Sequence, residues 1–294
     1  MNKYFMKTKI KYIRVSTSFS LIIFLFLSTA CMNRNNVTVP TYTEPVVTEY
    51  ASDTLVDEEA VNTLEEDNAP NFHSHSIWDT LLKTHVNNTG FVNYKGFLKD
   101  TVLLNTYLRQ LSANHPTDLW TKNETKAYWI NAYNAFTVKL IVDNYPVKTI
   151  KELGGSIYKV NTPWDIKFIN SGSNTYDLNN IEHGILRDEF PDARIHAVVN
   201  CASVSCPPLR NEAYTPEKLE VQMTEQMRYF INDKTKNTIT ESKVEVSSLF
   251  KWYSGDFTKE AKTVRNYINQ FSSLKIEEDT KITYKSYDWN LNEQ

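Results

Sequence analysis

The chain has 294 residues, and its 32 basic and 35 acidic side chains leave a net charge of only −3, which argues against a nucleic-acid partner or an anionic surface held by charge. Aromatic residues make up 13% of the sequence, enough for a sizeable core, while 7 glycines are too few for a barrel or propeller built on many tight turns. No internal repeat at periods of about 20 to 50 residues is visible.

The N-terminus reads as an address. Lys3, Lys7, Lys9, Lys11 and Arg14 come before any acid, the apolar run Phe19 to Leu27 follows, and Ser28-Thr29-Ala30 stands before Cys31. A basic region, a short apolar core and small residues make a secretory signal. The run is too short to span a bilayer comfortably. The segment resembles a bacterial lipoprotein signal, with Ser28 where the common pattern has an aliphatic residue. That resemblance implies removal of residues 1–30 and acylation of the Cys31 thiol. The mature chain is then expected in the cell envelope, periplasmic or surface-exposed, tethered to a membrane without spanning it. Cleavage without lipid, with Cys31 incidental, is the alternative. From Cys31 to about residue 72 the chain is rich in Thr, Asn, Glu, Asp and Pro, and it lacks the apolar surface needed to offset ordering entropy. It is expected to be a flexible tether.

Residues 73–294 are expected to form a single α+β domain, mainly helical in its first half, with a small central sheet supplied by the second. A helix starts at Ser76, with Ile77, Trp78, Leu81 and Leu82 on one face. A second is expected over Lys95 to Ala113, before His115-Pro116. A third spans Lys122 to Asn144, and its apolar stripe holds Asn131 and Asn134, two amides that need partners if buried. A small hairpin follows around Asp165 to Tyr176. Asp177 caps a helix reaching about Asp188. Its stripe contains Glu182 where an aliphatic residue is expected, with His183 and Arg187 on the adjoining face.

Arg194 to Val199 reads as a central strand, apolar on both faces apart from His196. A helix begins near Thr215-Pro216. Short strands are expected at Thr238 to Thr240, Val244 to Val246 and Lys281 to Lys285. Between them come a helical turn from Ser247 to Tyr253, ended by Gly255, and a last helix opened by Thr258.

The richest stretch is ARIHAVVNCASVSCPPLR, Ala193 to Arg210. A cysteine nucleophile needs a base and a group that orients the base. Cys201 or Cys206 can be the nucleophile, His196 or His183 the base, and Glu182, Asn131 or Asn134 the orienting group, with backbone amides of Ala202 to Cys206 available to an oxyanion. Arg187 and the second thiol, Cys206, complete the candidate binding groups. The alternative, in an exported chain, is that the two cysteines form a structural disulfide inside a non-catalytic binding module. Zinc on His196, Cys201 and Cys206 is a third possibility, although Cys-x4-Cys fits structural zinc sites less well than Cys-x2-Cys. No phosphate loop, dinucleotide fingerprint or His-Glu-x-x-His helix is present, so no cofactor is implied.

Four ordered blocks carry a resemblance: YWINAYNAF at Tyr128, IEHGILR at Ile181, RIHAVVNCASVSCPPL at Arg194 and FKWYSGDF at Phe250. Together they resemble the domain-of-unknown-function family numbered 547, over roughly Trp78 to Asp288. Its motif residues correspond here to Asn131, Asn134, Glu182, His183, Arg187, His196, Cys201 and Cys206. The resemblance implies no established activity; the His and Cys content is similar in type to cysteine hydrolases.

Overall fold

The computed structural model describes residues 72–154 and 162–294. The segments expected to be a signal and a tether, Cys31 among them, fall on residues 1–71 and lie outside the described residues. Within them the fold is α+β, with ten α-helical segments and two small sheets. Among the described residues no helix is long and apolar enough to cross a membrane.

Helix α1 (Ser76–His85) packs on α3 (Thr101–Ala113), with the short α2 (Tyr94–Lys99) between them in sequence. The periodicity predicts one helix over Lys95 to Ala113, whereas the chain breaks at Asp100, which ends α2 and starts α3. The Asp100 carboxylate lies 2.6 Å from His85 Nε2. Asn93 caps α2 by accepting from the Gly96 amide. Gly96 passes so close to His85 that a Cβ there would lie 2.3 Å from the ring.

The fold is organised around α4 (Lys122–Asp143), opened by a capping box in which Thr121 and Glu124 satisfy each other's backbone amides. Tyr128, Trp129, Ile130 and Val138 are buried on different sides of it, as expected for a helix in the middle of a domain. A hairpin of β1 (Ile169–Ser171) and β2 (Asn174–Tyr176) leads to Asp177, which accepts from the Asn180 amide at 2.6 Å. The helix it starts is not regular. Asn180–Leu186 is π-helical and runs into the single turn α5 (Arg187–Glu189).

Ile195–Val198, expected as a strand, is instead one turn of α-helix, α6. Asp192 creates it: the Ile195 amide bonds back to the Asp192 carbonyl, and the Asp192 carboxylate accepts from the Arg194 amide and guanidinium. Asp192 also pairs with the buried Lys126 of α4 at 2.5 Å.

After the cysteine loop comes α7 (Leu219–Asn232), which starts one turn beyond Thr215-Pro216. The three-stranded sheet has the order β3 (Thr238–Ile239), β4 (Val244–Val246), β5 (Ile282–Tyr284), with β3–β4 antiparallel and β4–β5 parallel. Between β4 and β5 lie α8 (Leu249–Trp252), α9 (Ser254–Ala261) and α10 (Val264–Phe271). Gly255 does not end a helix, as the sequence suggests, but sits in the first turn of α9. Thr258 lies inside α9, and the opening cap of the last helix is Thr263, whose side chain accepts from the Asn266 amide. Lys262, at φ 66°, makes the break between the two.

The apolar interior forms two clusters, one around α4 and one around Phe230, Phe250, Phe257 and Tyr267. The last residues return across the first cluster. The Tyr94 hydroxyl donates to Asn292 Oδ1 at 2.7 Å, and the Val204 amide donates to the Asn290 carbonyl at 2.8 Å.

Candidate functional site

A cavity of about 300 Å³ draws its lining from both clusters. Glu182, His183, His196, Cys201 and Cys206 all face it, so five of the sequence-predicted residues come together in one place. Trp164, Trp252, Tyr253, Tyr287 and Trp289 supply most of its wall.

The cysteine loop is aimed by two amides. Asn134 on α4 donates to the Val198 carbonyl at 2.8 Å and accepts from the Asn200 amide at 2.9 Å. Asn200 in turn donates to the Pro207 carbonyl and accepts from the Ala202 amide. Between them the chain turns through Ala202, a fully buried residue at φ 58°. That left-handed conformation costs an alanine about 1–2 kcal/mol, a cost the flanking hydrogen bonds offset. The turn directs both sulfurs inward.

Cys201 and Cys206 are free thiols, with sulfurs 2.8 Å apart. Cys201 is half-buried at the cavity, Cys206 fully buried behind it. The Cys201 amide donates to Cys206 Sγ at 2.9 Å. Tyr287 and Ser203 hydroxyls each stand 3.2 Å from Cys201 Sγ, and Ser203 donates to Tyr287 at 3.1 Å. Hydrogen bonding with Cys206, Ser203 and Tyr287 holds the Cys201 thiol below the usual thiol range, against burial and the nearby Glu182 charge. Burial, with Cys201 as a charged neighbour, pushes Cys206 well above it.

Of the five backbone amides from Ala202 to Cys206, four are bonded within the protein: Ala202 donates to Asn200 Oδ1, and Val204, Ser205 and Cys206 donate to the Asn290, Asp288 and Ser203 carbonyls. The zinc possibility lacks a ligand set: among the described residues no group of three His, Cys, Asp or Glu is placed to hold a metal ion.

His196 Nε2 lies 2.9 Å from Asp256 Oδ2. A carboxylate only accepts, so Nε2 carries the proton and Nδ1 of the neutral ring presents a lone pair. Nδ1 is buried without a partner. The ring stacks on Tyr253 with centroids 3.8 Å apart. Asp256 also receives Arg187 Nε at 2.8 Å, and hydrogen bonds from His196 and then Arg187 hold its carboxyl far below the usual range.

The π-helical stretch explains how neighbouring residues share these tasks. Its wide turn bonds the Arg187 amide to the Glu182 carbonyl, five residues back. Glu182, which the sequence places on an apolar stripe, is buried and accepts from the Tyr133 hydroxyl at 3.0 Å and the Tyr253 hydroxyl at 2.9 Å. Burial, with the Glu182 charge alongside, drives both phenols well above their normal range, so they stay protonated donors. His183 is exposed, and its Nδ1 lies 3.0 Å from Arg187 Nη1.

Three sequence candidates do not line the cavity. Asn131 is a clamp on α4: it donates to the Tyr214 carbonyl at 2.7 Å and accepts from the Tyr214 amide at 3.1 Å. Asn134 acts on the cysteine loop through backbone. Arg187 holds Asp256 and His183 from outside. Asp256, Tyr253 and Tyr287 were not among the candidates. The signal for the first two was the block FKWYSGDF, whose acid and tyrosine read locally as ordinary surface and core residues.

The geometry defines an α+β protein with a thiol-bearing, aromatic-walled cavity. The model of the family described as "Protein of unknown function, DUF547" matches residues 117–231. That match is narrower than the expected Trp78 to Asp288. It includes Glu182, His183, His196, Cys201 and Cys206 and ends before Tyr253, Asp256 and Tyr287. No curated protein and no solved structure matches the chain.

Proposed function

We propose that the chain is a cysteine-dependent hydrolase or acyl transferase with Cys201 as nucleophile, held in the cell envelope by lipid on Cys31. One observation carries the reading: Cys201 Sγ, supported by the Tyr287 and Ser203 hydroxyls, faces the same cavity as His196, whose Nε2 is held by Asp256. A thiolate is the reactive form, and its pKa is lowered here by donors rather than by a cation.

The thiolate attacks an acyl carbonyl, and the acyl group transfers to sulfur as the leaving group departs. His196 Nδ1, with no protein partner of its own, is the proton acceptor and donor for the leaving group and for the attacking water or second acceptor. Asp256 keeps the ring in the required tautomer. Aromatic walls favour an apolar or flat acyl portion.

The test is acylation of the reduced native protein by p-nitrophenyl acetate. The expected result is a stoichiometric burst with the acetyl group mapped to Cys201, abolished in Cys201→Ser. In His196→Gln, release of the acetyl group is expected to slow at least tenfold. Folded protein with free thiols that takes no acetyl group on Cys201 refutes the reading.

A further inference from the structure

We infer that Cys201 and Cys206 form a dithiol that exchanges with small disulfides entering the cavity, an activity beyond acyl transfer. The acyl reading uses Cys206 only as a neighbour, and nothing in it requires two thiols. Yet the loop brings the second sulfur to 2.8 Å from the first. Closing to a bond of about 2.05 Å takes a movement of about 0.8 Å, well within side-chain rotation. The Cys206 amide donates to the Ser203 carbonyl at 3.0 Å and the Cys201 amide points at Cys206 Sγ, so the loop already has the shape of a closed ring.

The two sulfurs differ in the way that exchange needs. Cys201 faces the cavity and carries two hydroxyl partners, whereas Cys206 is only 4% exposed. An incoming disulfide therefore meets the more exposed Cys201 first, with Cys206 at the cavity edge directly behind it. The directions of the thiol pKa values agree: Cys201 is pushed down by its donors and Cys206 up by burial, so the accessible sulfur is the better nucleophile. The aromatic-walled cavity of about 300 Å³ has room for a low-molecular-weight disulfide.

In the first step the Cys201 thiolate attacks one sulfur of R–S–S–R. A Cys201–S–S–R bond forms, the substrate S–S bond breaks, and RS⁻ leaves and takes a proton from solvent. In the second, Cys206 loses its proton and attacks Cys201 Sγ. The Cys201–Cys206 bond forms, and the second RS⁻ leaves with that proton. Two electrons pass from the protein to the substrate disulfide, giving two RSH; a thiol reductant reverses both steps.

The experiment uses reduced full-length protein and 2-hydroxyethyl disulfide. Wild type is expected to release two equivalents of 2-mercaptoethanol beyond the one from any free Cys31 thiol, and to finish with no adduct on Cys201 or Cys206 and neither of them open to alkylation. Cys206→Ala is expected to release one equivalent and keep a stable adduct on Cys201, and Cys201→Ser to release none from Cys206. The wild-type stoichiometry needs no variant, so a poorly folding Cys206→Ala leaves the test intact. A wild-type protein that stops at the mixed disulfide with Cys206 still alkylatable overturns the inference. So does a folded protein whose Cys201–Cys206 bond, once made, resists dithiothreitol. Acetylation of Cys201 run in parallel separates the two activities: acetylation without exchange removes this inference alone, and exchange without acetylation removes the acyl reading alone.

Discussion

The two asparagines of α4 allow scaffold and site to be separated by one pair of substitutions. Asn131 and Asn134 are both buried, and each makes two hydrogen bonds to distant backbone, one as donor and one as acceptor. Truncation to alanine strands one buried carbonyl and one buried amide, at about 1–3 kcal/mol for each orphaned group. Alanine regains several tenths of a kcal/mol in helix propensity. Each variant is therefore expected to lose about 2–5 kcal/mol in urea unfolding. Their effects on Cys201 differ, because Asn134 grips Val198 and Asn200, immediately before the cysteine, whereas Asn131 grips Tyr214. The assay is the rate of iodoacetamide alkylation of Cys201 under conditions where both variants are folded. Asn134→Ala is expected to change that rate at least several-fold and Asn131→Ala to leave it near wild type. Equal rate changes in both, or a stability loss below about 1 kcal/mol in Asn134→Ala, refute the assignment of Asn134 as the positioning residue of the cysteine loop.

Tyr287→Phe removes a donor to Cys201 Sγ, so the thiol rises and the pH midpoint of its alkylation moves upward; an unchanged midpoint contradicts the role given to Tyr287. Asp192, which sets the α6 turn, is held down to about 2 by Arg194 and Lys126 against its own burial. Its folded value is below its unfolded one, so its stabilisation is present above about pH 4 and fades as pH falls toward 2, a loss of about 2 kcal/mol. Asp192→Asn is expected to flatten this acid limb in pH-dependent unfolding and, by orphaning the buried Lys126, to lower stability at neutral pH by about 3–5 kcal/mol. Gly90 sits at φ 79°, and a Cβ there would lie 2.3 Å from the Pro208 Cβ. Gly90→Ala is expected to cost at least about 1 kcal/mol and lower the melting temperature, since the Pro207-Pro208 end of the cysteine loop must shift.

The sequence made much of this legible because hydrophobic period and turn chemistry agreed along most of the chain. The hairpin near Ser171 and the cap at Asp177 are local signals, and the elements that depend on them start where they predict. Failures came where burial on all sides erased the period. Ile195 to Val199 is apolar in every direction, so strand and helix patterns fit it equally, and Asp192 decided in favour of helix. The π-helical register at Glu182 has no sequence period of its own. Glu182 was visible only as an acid on an apolar stripe, and its two partners, Tyr133 and Tyr253, come from elements 49 and 71 residues away. Asp256 was illegible for the same reason: its meaning depends on His196 and Arg187, which lie 60 and 69 residues earlier.

That dependence bears on where the functional unit ends. Residues 117–231 contain both sulfurs, His196 and Glu182, but not the groups that give three of them their chemistry. Asp256 fixes the His196 tautomer, Tyr253 stacks on that ring and donates to Glu182, and Tyr287 donates to Cys201. The C-terminal segment also supplies the backbone that holds the loop open toward the cavity: Val204 and Ser205 amides bond to Asn290 and Asp288 carbonyls, and the Asn292 amide bonds to the Ala202 carbonyl. A fragment limited to the matched stretch would keep the thiols and lose the partners that set their reactivity. The working unit of this chemistry therefore reaches from α4 to Asn292.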